Sequence, residues 1–333
     1  MEWQIFGHDW AVDLLQHQAA NSSIRHAYLF MGPKGVGRRT MALRFAQSLN
    51  CSAQPTPGVA CLACRDCRQI EEMVHPDLSL LTPEEGHKDI LIDQVRSLQH
   101  TLSLAPYASA YRIALLPDFQ RATTQAANAL LKTLEEPSDR VVLLLTASVL
   151  EALLPTIVSR CEVIRLRPSS IPAAQAYFME NMGLTEEKAD LIAHLSGGRI
   201  GAGKRFIEET DTLDRRREVL ENLFTMLPAA IYDRFKTAEN LTKSYDQARK
   251  NVGETLPIWL SFWRDVFVRA SGSEMPLVNI DIEPQIKSAA STLDIHTARS
   301  LVVDHEQAIQ QMDAYVNVRL LVENLMLKWP NLK

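Results

Sequence analysis

Two groups of residues in this 333-residue chain have the types and spacing to do chemistry. The first lies in Phe30 to Thr40, FMGPKGVGRRT, which begins like a phosphate-binding loop at the end of an apolar strand. In the working pattern G-x-x-x-x-G-K-[ST], backbone N–H groups cradle phosphates, the lysine reaches the β- and γ-phosphates and the hydroxyl ligates magnesium. Gly32 and Gly37 keep that spacing. The lysine position holds Arg38, whose planar guanidinium is not interchangeable with an ammonium, and the hydroxyl position holds Arg39, which cannot bind a cation. Thr40 comes one residue late. Hydrolysis also needs an acid at the tip of a later strand to hold the magnesium, and IALLPDFQR offers a lone Asp118 behind Pro117. Two departures at the two catalytic positions argue against turnover by this chain. Gly35, Gly37 and the helix N-terminus behind them still offer donors and a favourable dipole, so two outcomes stay open: nucleotide bound without hydrolysis, or a tight glycine turn with no ligand.

The second group is C-x9-C-x2-C-x2-C, made of Cys51, Cys61, Cys64 and Cys67, four of the five cysteines. Four thiolates at these spacings match a closed tetrahedral zinc site in a reducing compartment, and a closed site has no open position for catalysis. The insert NCSAQPTPGVACLACRDC has little apolar content of its own, the situation in which a metal supplies the folding energy. Free thiols or a redox pair are the alternative. Cys161, at the start of a strand, reads as a small buried hydrophobe.

The elements that must position these groups follow from periodicity. AYLFM (Ala27 to Met31) reads as a buried strand, and Ala42, Phe45, Ala46 and Leu49 follow at helical spacing, which is the strand, loop, helix order a phosphate loop requires. Further apolar runs near Leu78, ending at Leu116, starting at Val141 and ending at Leu166 alternate with helical patterns such as Ala127, Leu130, Leu131 and Leu134. That alternation predicts an α/β fold with a mostly parallel, doubly wound sheet covered on both faces. RPSSIP breaks the pattern, and only helical periodicity follows: Pro172 to Met182, Thr185 to Leu195, and long helices from Asp211 onward. Boundaries are expected near residues 167 and 209. A net charge of −5 leaves contact with nucleic acid to local patches, and Arg215 to Arg217, the one basic triplet, reads as a solvated helix face. With no apolar run near the roughly 20 residues of a membrane span and no secretory signal in MEWQIFGHDW, a soluble cytoplasmic protein is expected.

The cysteine insert directly after the loop helix, then ANALLKTLEEPSD (Ala127 to Asp139), then LPTIVSRC (Leu154 to Cys161), resembles the bacterial clamp-loader branch of the AAA+ proteins, closely over about the first 210 residues. Within that branch the gamma or tau subunit keeps an intact loop and an Asp-Glu pair, whereas degenerate versions such as Arg38, Arg39 and Pro117 match the delta prime type. The resemblance implies a phosphate-loop domain with a zinc module (residues 1–167 and 51–67), a small helical lid (168–209) and an all-helical oligomerisation collar (210–333). It implies that Arg160, in Ser-Arg-Cys, is an arginine finger acting in the ATP site of a neighbouring subunit. Gly32, Gly35, Gly37 and Arg38 would line a degenerate loop in which ATP or ADP is not required, and Cys51, Cys61, Cys64 and Cys67 would hold structural zinc. Its partners would be the gamma or tau and delta subunits, with the sliding clamp and primer-template DNA met through the assembly, and no membrane. Arg199 stands two residues before Gly201, where the family's ATPases carry a nucleotide-sensing arginine. Glu135 and Glu136 read as salt-bridge partners and not as bases, and Arg121 as a weak candidate for DNA contact. The alternatives are an active gamma- or tau-type ATPase with an atypical loop, and a lone AAA+ adaptor outside replication.

Overall fold

Short apolar runs buried on both faces are what an inner parallel strand requires, and three such runs form the centre of the sheet. The computed structural model describes residues 3–209, 211–312 and 316–332, so Met1, Thr210 and Lys333, which bound the expected segments, lie outside the described residues. The chain divides into two compact units, Met1–Ser169 with Arg199–Ala202, and Ser170–Gly198 with Gly203–Lys333.

In the first unit, β1 (Ala27–Met31), β2 (Leu78–Leu80), β3 (Arg112–Leu116), β4 (Val141–Ala147) and β5 (Glu162–Arg165) form one sheet in the order β2-β3-β4-β1-β5, with every pairing parallel. Around it run α1 (Asp9–Ala20), α2 (Arg38–Asn50), α3 (Arg65–Glu71), α4 (Ile92–Leu102), α5 (Thr124–Glu135) and α6 (Pro155–Val158). β1, β3 and β4 are buried at every position. The strand period of two splits their side chains between two cores: Tyr28, Phe30, Ile113, Leu115, Val142 and Leu144 face one, while Ala27, Leu29, Ala114, Leu116, Leu143 and Leu145 face the other. Each large side chain so buried contributes about 1.5–3 kcal/mol. This is the doubly wound arrangement that the alternating pattern predicts. Because all five strands run the same way, the loop after β1, Asp118 after β3 and Thr146 at the end of β4 emerge at one edge, and the register Phe30↔Thr146 sets two of them side by side.

Local signals end the helices that matter for the site. Thr123 caps α5 by accepting the Ala126 N–H at 3.2 Å, and Pro137 follows shortly after its last residue, Glu135. Pro155 starts α6 at a position where the missing N–H costs nothing.

Beyond β5 the described elements are helical: α7 (Ile171–Met182), α8 (Glu186–Ser196), α9 (Ile200–Glu208), α10 (Asp211–Met226), α11 (Ile231–Leu241), α12 (Tyr245–Ala270), α13 (Glu283–Thr292), α14 (Ile295–Gln311) and α15 (Val318–Lys328). In the second unit α12 supplies the core with Trp259, Phe262, Trp263 and Val266, a stripe at helical spacing. One buried cation joins three helices there. The Arg234 guanidinium donates to the carbonyl oxygens of Met226, Leu227, Met326, Trp329 and Pro330 at 2.6–3.0 Å, so each of its five N–H groups finds an acceptor without a carboxylate. The basic triplet corrects its reading as a solvated face. Arg216 is buried and donates to Asp281 at 2.6 and 2.8 Å and to Asn279 at 2.8 Å, because its position on α10 faces inward while Arg215 and Arg217 stay exposed.

His305 lies in the same core among the rings of Trp259, Trp263 and Trp329, at centroid distances of 6.4, 6.3 and 6.1 Å. Its Nδ1 donates to the Leu301 carbonyl at 2.6 Å, which leaves Nε2 to accept from Trp329 Nε1 at 3.4 Å. Burial pushes its pKa down from 6.5 to about 4. The unfolded chain therefore takes up this proton first as the pH falls, and stability fully present above pH 6.5 drains away between about 6.5 and 4, to a total of about 3 kcal/mol. Denaturant melts across that window are expected to show the loss, and His305→Phe to flatten it.

Candidate functional site

β1 ends at Met31 and the chain turns through Gly32, Gly35 and Gly37, whose φ angles are 149°, 86° and 110°. At two of these a side chain has no room: a Cβ on Gly32 would lie 2.3 Å from the Leu166 carbonyl oxygen, and one on Gly35 would lie 2.8 Å from Ala202. Gly37 caps α2 without a side-chain acceptor, so the helix offers its first N–H groups outward. His8, buried, donates from Nε2 to the Val36 carbonyl at 3.0 Å and ties the loop to the chain ahead of α1.

Arg38 points back into the protein. Its side chain is 8% exposed, and Nη2 donates to Asp118 Oδ1 at 3.0 Å. Burial pushes the Arg38 pKa down and the Asp118 carboxylate opposes that push. Nη1 is buried with no hydrogen-bond partner among the described residues. Asp118 is held from three directions. Its backbone takes the left-handed φ of 48°, its N–H donates to Thr146 Oγ1 at 2.9 Å, and Gln120 Nε2 reaches its Oδ1 at 3.4 Å. The residues at the lysine and magnesium-acid positions are thus paired with each other. Arg39 and Thr40 are exposed. Arg199 donates from Nη1 to the Lys34 carbonyl at 3.3 Å, and the Gly201 N–H to the Gly35 carbonyl at 2.9 Å. A Cβ on Gly201 would lie 2.9 Å from that same oxygen, so no arginine fits there as the chain is packed.

Arg160 follows α6 and leads into β5. Its Nη1 donates to the Thr156 carbonyl at 2.9 Å and its Nη2 to Glu135 Oε1 at 2.6 Å, with the side chain 34% exposed. It belongs to the same unit as the loop but makes no hydrogen bond or ion pair with it among the described residues. Next to it, burial pushes the Cys161 thiol up to about 12, which makes it an inert, half-buried neighbour of the core. Arg121 is exposed and its Nε donates to the Lys88 carbonyl at 2.8 Å.

The four cysteines converge. Their sulfur atoms lie within 4.8 Å of one another, with Cys51 Sγ 3.9 Å from Cys64 Sγ, a set that could hold a metal ion. A tetrahedron with metal–sulfur bonds of about 2.3 Å has edges of about 3.8 Å, so the spacing fits one. The backbone turns its N–H groups to the sulfurs: Cys61 N to Cys51 at 3.3 Å, Cys64 N to Cys61 at 3.2 Å and Cys67 N to Cys64 at 3.4 Å. Burial pushes the Cys51 and Cys67 thiols up, whereas at Cys64 the hydrogen bonds, led by that from the Cys67 N–H, outweigh burial and bring the pKa down to about 6. Four crowded thiols of this kind ionise together only around a cation. Sequence spacing does not reveal the support beneath them. Gln47, buried on α2, donates to the Cys67 carbonyl at 2.7 Å and to Glu71 at 3.0 Å. The signal available was the run Gln47, Ser48 and Asn50, polar residues buried at the end of a helix just ahead of Cys51.

Two family models match the chain: DNA polymerase III, delta subunit, over residues 7–170, and DNA polymerase III, delta subunit, C terminal, over residues 210–331. The DNA polymerase III subunit delta' of Pseudomonas aeruginosa is 34% identical over 225 residues, which is 67% of each chain. That of Bacillus subtilis is 27% identical over 317 residues, 94% of this chain and 93% of the other. The Bacillus subtilis subunit tau is 28% identical over 158 residues, 47% of this chain and 27% of its own length. No helix among the described residues is long and apolar enough to cross a membrane.

The pairing at the loop has a measurable consequence. In Asp118→Asn the buried Arg38 guanidinium loses its counter-charge, and because Asp118 is partly exposed the expected loss in chemical denaturation is moderate, roughly 1–2 kcal/mol. Arg38→Met removes the buried charge as well and is expected to cost less than that.

Proposed function

This chain belongs to the delta prime subunit family of DNA polymerase III, and from that membership we propose that it is a clamp-loader partner that does not hydrolyse ATP and completes the ATP site of a neighbouring subunit with Arg160. The observation that carries this reading is the Arg38–Asp118 ion pair at 3.0 Å. A working site needs an ammonium on the phosphates and a carboxylate free for magnesium. Here a guanidinium engages the carboxylate, and Arg39 offers no oxygen for the metal. The N–H groups at the N-terminus of α2 still suit a phosphate, so ATP or ADP is compatible with the site without being required. A gamma- or tau-type ATPase would need the groups that Arg38 and Arg39 replace, and the tau relative matches about half of this chain.

Arg160 has the chemistry for the transferred role. A partly exposed guanidinium aimed at a γ-phosphate stabilises the charge that develops in the transition state, an effect of roughly 10³–10⁵ in rate in GTPase systems. The partners in this reading are the gamma or tau and delta subunits, with the sliding clamp and primer-template DNA engaged through the assembly in the cytoplasm. Arg121, exposed at the chain's surface, is a candidate phosphate contact. We assign residues 1–167 to the loop-bearing domain, 168–209 to a lid and 210–333 to an oligomerising collar.

The metal held by Cys51, Cys61, Cys64 and Cys67 is, in the same proposal, structural zinc. Four thiolates suit zinc and leave it no open position, so its contribution is to folding. Elemental analysis is expected to find about one zinc per chain, lost together with thermal stability in Cys64→Ser; a content well below one removes the assignment.

Reconstitution with gamma and delta tests the main reading. Arg160→Ala is expected to join the assembly and to slow the site it serves about 10³-fold, removing a large share of DNA- and clamp-stimulated ATP turnover. Unchanged turnover would sink the finger assignment.

A further inference from the structure

Arg160 is not a loose surface side chain. Two of its five N–H donors are committed, one to the Thr156 carbonyl in α6 and one to Glu135 Oε1 at the end of α5, which fixes the plane of the guanidinium from two directions. The remaining donors, on Nε and on each Nη, make no other hydrogen bond among the described residues, and the side chain is 34% exposed. Glu135 stands in an unfavourable place for an acid, the last residue of a helix, where the partial charge of the terminus is negative. The pair itself is exposed, with Glu135 51% accessible, and exposed pairs contribute little to stability. What the pair does supply is orientation.

We infer that Glu135 is a positioning residue: it holds the Arg160 guanidinium in a fixed orientation, so that the N–H edge left without a partner among the described residues meets a neighbour's phosphoryl group without having to be ordered during the reaction. Rigid presentation matters because a donor that is already aimed stabilises the transition state with no reorganisation at the moment of transfer. The inference rests on the finger reading above. It adds a residue within ALLKTLEEP whose effect is transmitted entirely through another side chain.

A double-mutant cycle in the reconstituted loader tests it, with kcat and KM for ATP measured and assembly followed by sedimentation. Glu135→Ala is expected to lower the kcat of the served site about tenfold, with KM and assembly unchanged, because aim is lost and binding is not. Glu135→Gln, whose amide oxygen still accepts from Nη2, is expected to keep most of the turnover. In the Arg160→Ala background the Glu135→Ala change should add nothing. The inference is overturned if Glu135→Ala leaves kcat unchanged or raised, lowers it equally in the Arg160→Ala background, or drops out of the assembly. If Arg160→Ala itself keeps full turnover, the finger reading has failed and this inference goes with it.

Discussion

The pairing of Arg38 with Asp118 decides what the rest of the first unit can do. A phosphate loop at the head of a parallel sheet brings an N-terminal helix dipole, outward N–H groups and the tip of a neighbouring strand to one edge, and in a working enzyme that edge assembles a metal–phosphate site. Here the acid that would hold the metal is 3.0 Å from a guanidinium on the protein's own chain. The charge at the site is already balanced. The parallel strand order, the glycine turn and the packing of Arg199–Ala202 on the loop are all present, while the acid at the strand tip is engaged by Arg38. What the same unit still offers outward is Arg160, placed by α6 and steadied by α5.

Two of the buried arginines, Arg38 and Arg234, are accommodated differently. Among the described residues Arg38 has one carboxylate and leaves a nitrogen unpartnered, whereas Arg234 has five carbonyls and no carboxylate. The second solution uses groups that helix ends leave without acceptor roles inside the helix, and it joins the ends of α10 and α15 to α11 through one side chain. The cysteine module differs from both. It has few buried apolar side chains, and its four sulfur atoms converge within 4.8 Å, a set that could hold a metal ion.

Much of this was legible in the sequence for plain physical reasons. The strands announce themselves because inner parallel strands must be apolar throughout, and the cysteines because ligand spacing is set by local turns. Arg160 is singled out by its motif alone; nothing in its composition or spacing marks it, and its role is a proposal. Other features could not be read. Arg38 and Asp118 are 80 residues apart, and only the sheet order brings them together. The inward turn of Arg216 depends on Asn279 and Asp281, far along the chain, so its neighbours in the triplet gave no hint. His305 among tryptophans and Arg234 among carbonyls are likewise products of tertiary packing, which overrides the usual exposure of polar residues.

In the proposed role this chain lends an arginine to a neighbour's ATP site and turns over no ATP of its own. The most direct measurement is ATP turnover by a loader in which every gamma subunit carries a disabled phosphate loop while this chain and delta are wild type. No turnover above background is expected, with or without primed DNA and clamp. Magnesium-dependent turnover that disappears on chelation of magnesium and on Asp118→Asn would contradict it, because the hydrolysing site would then lie in this chain.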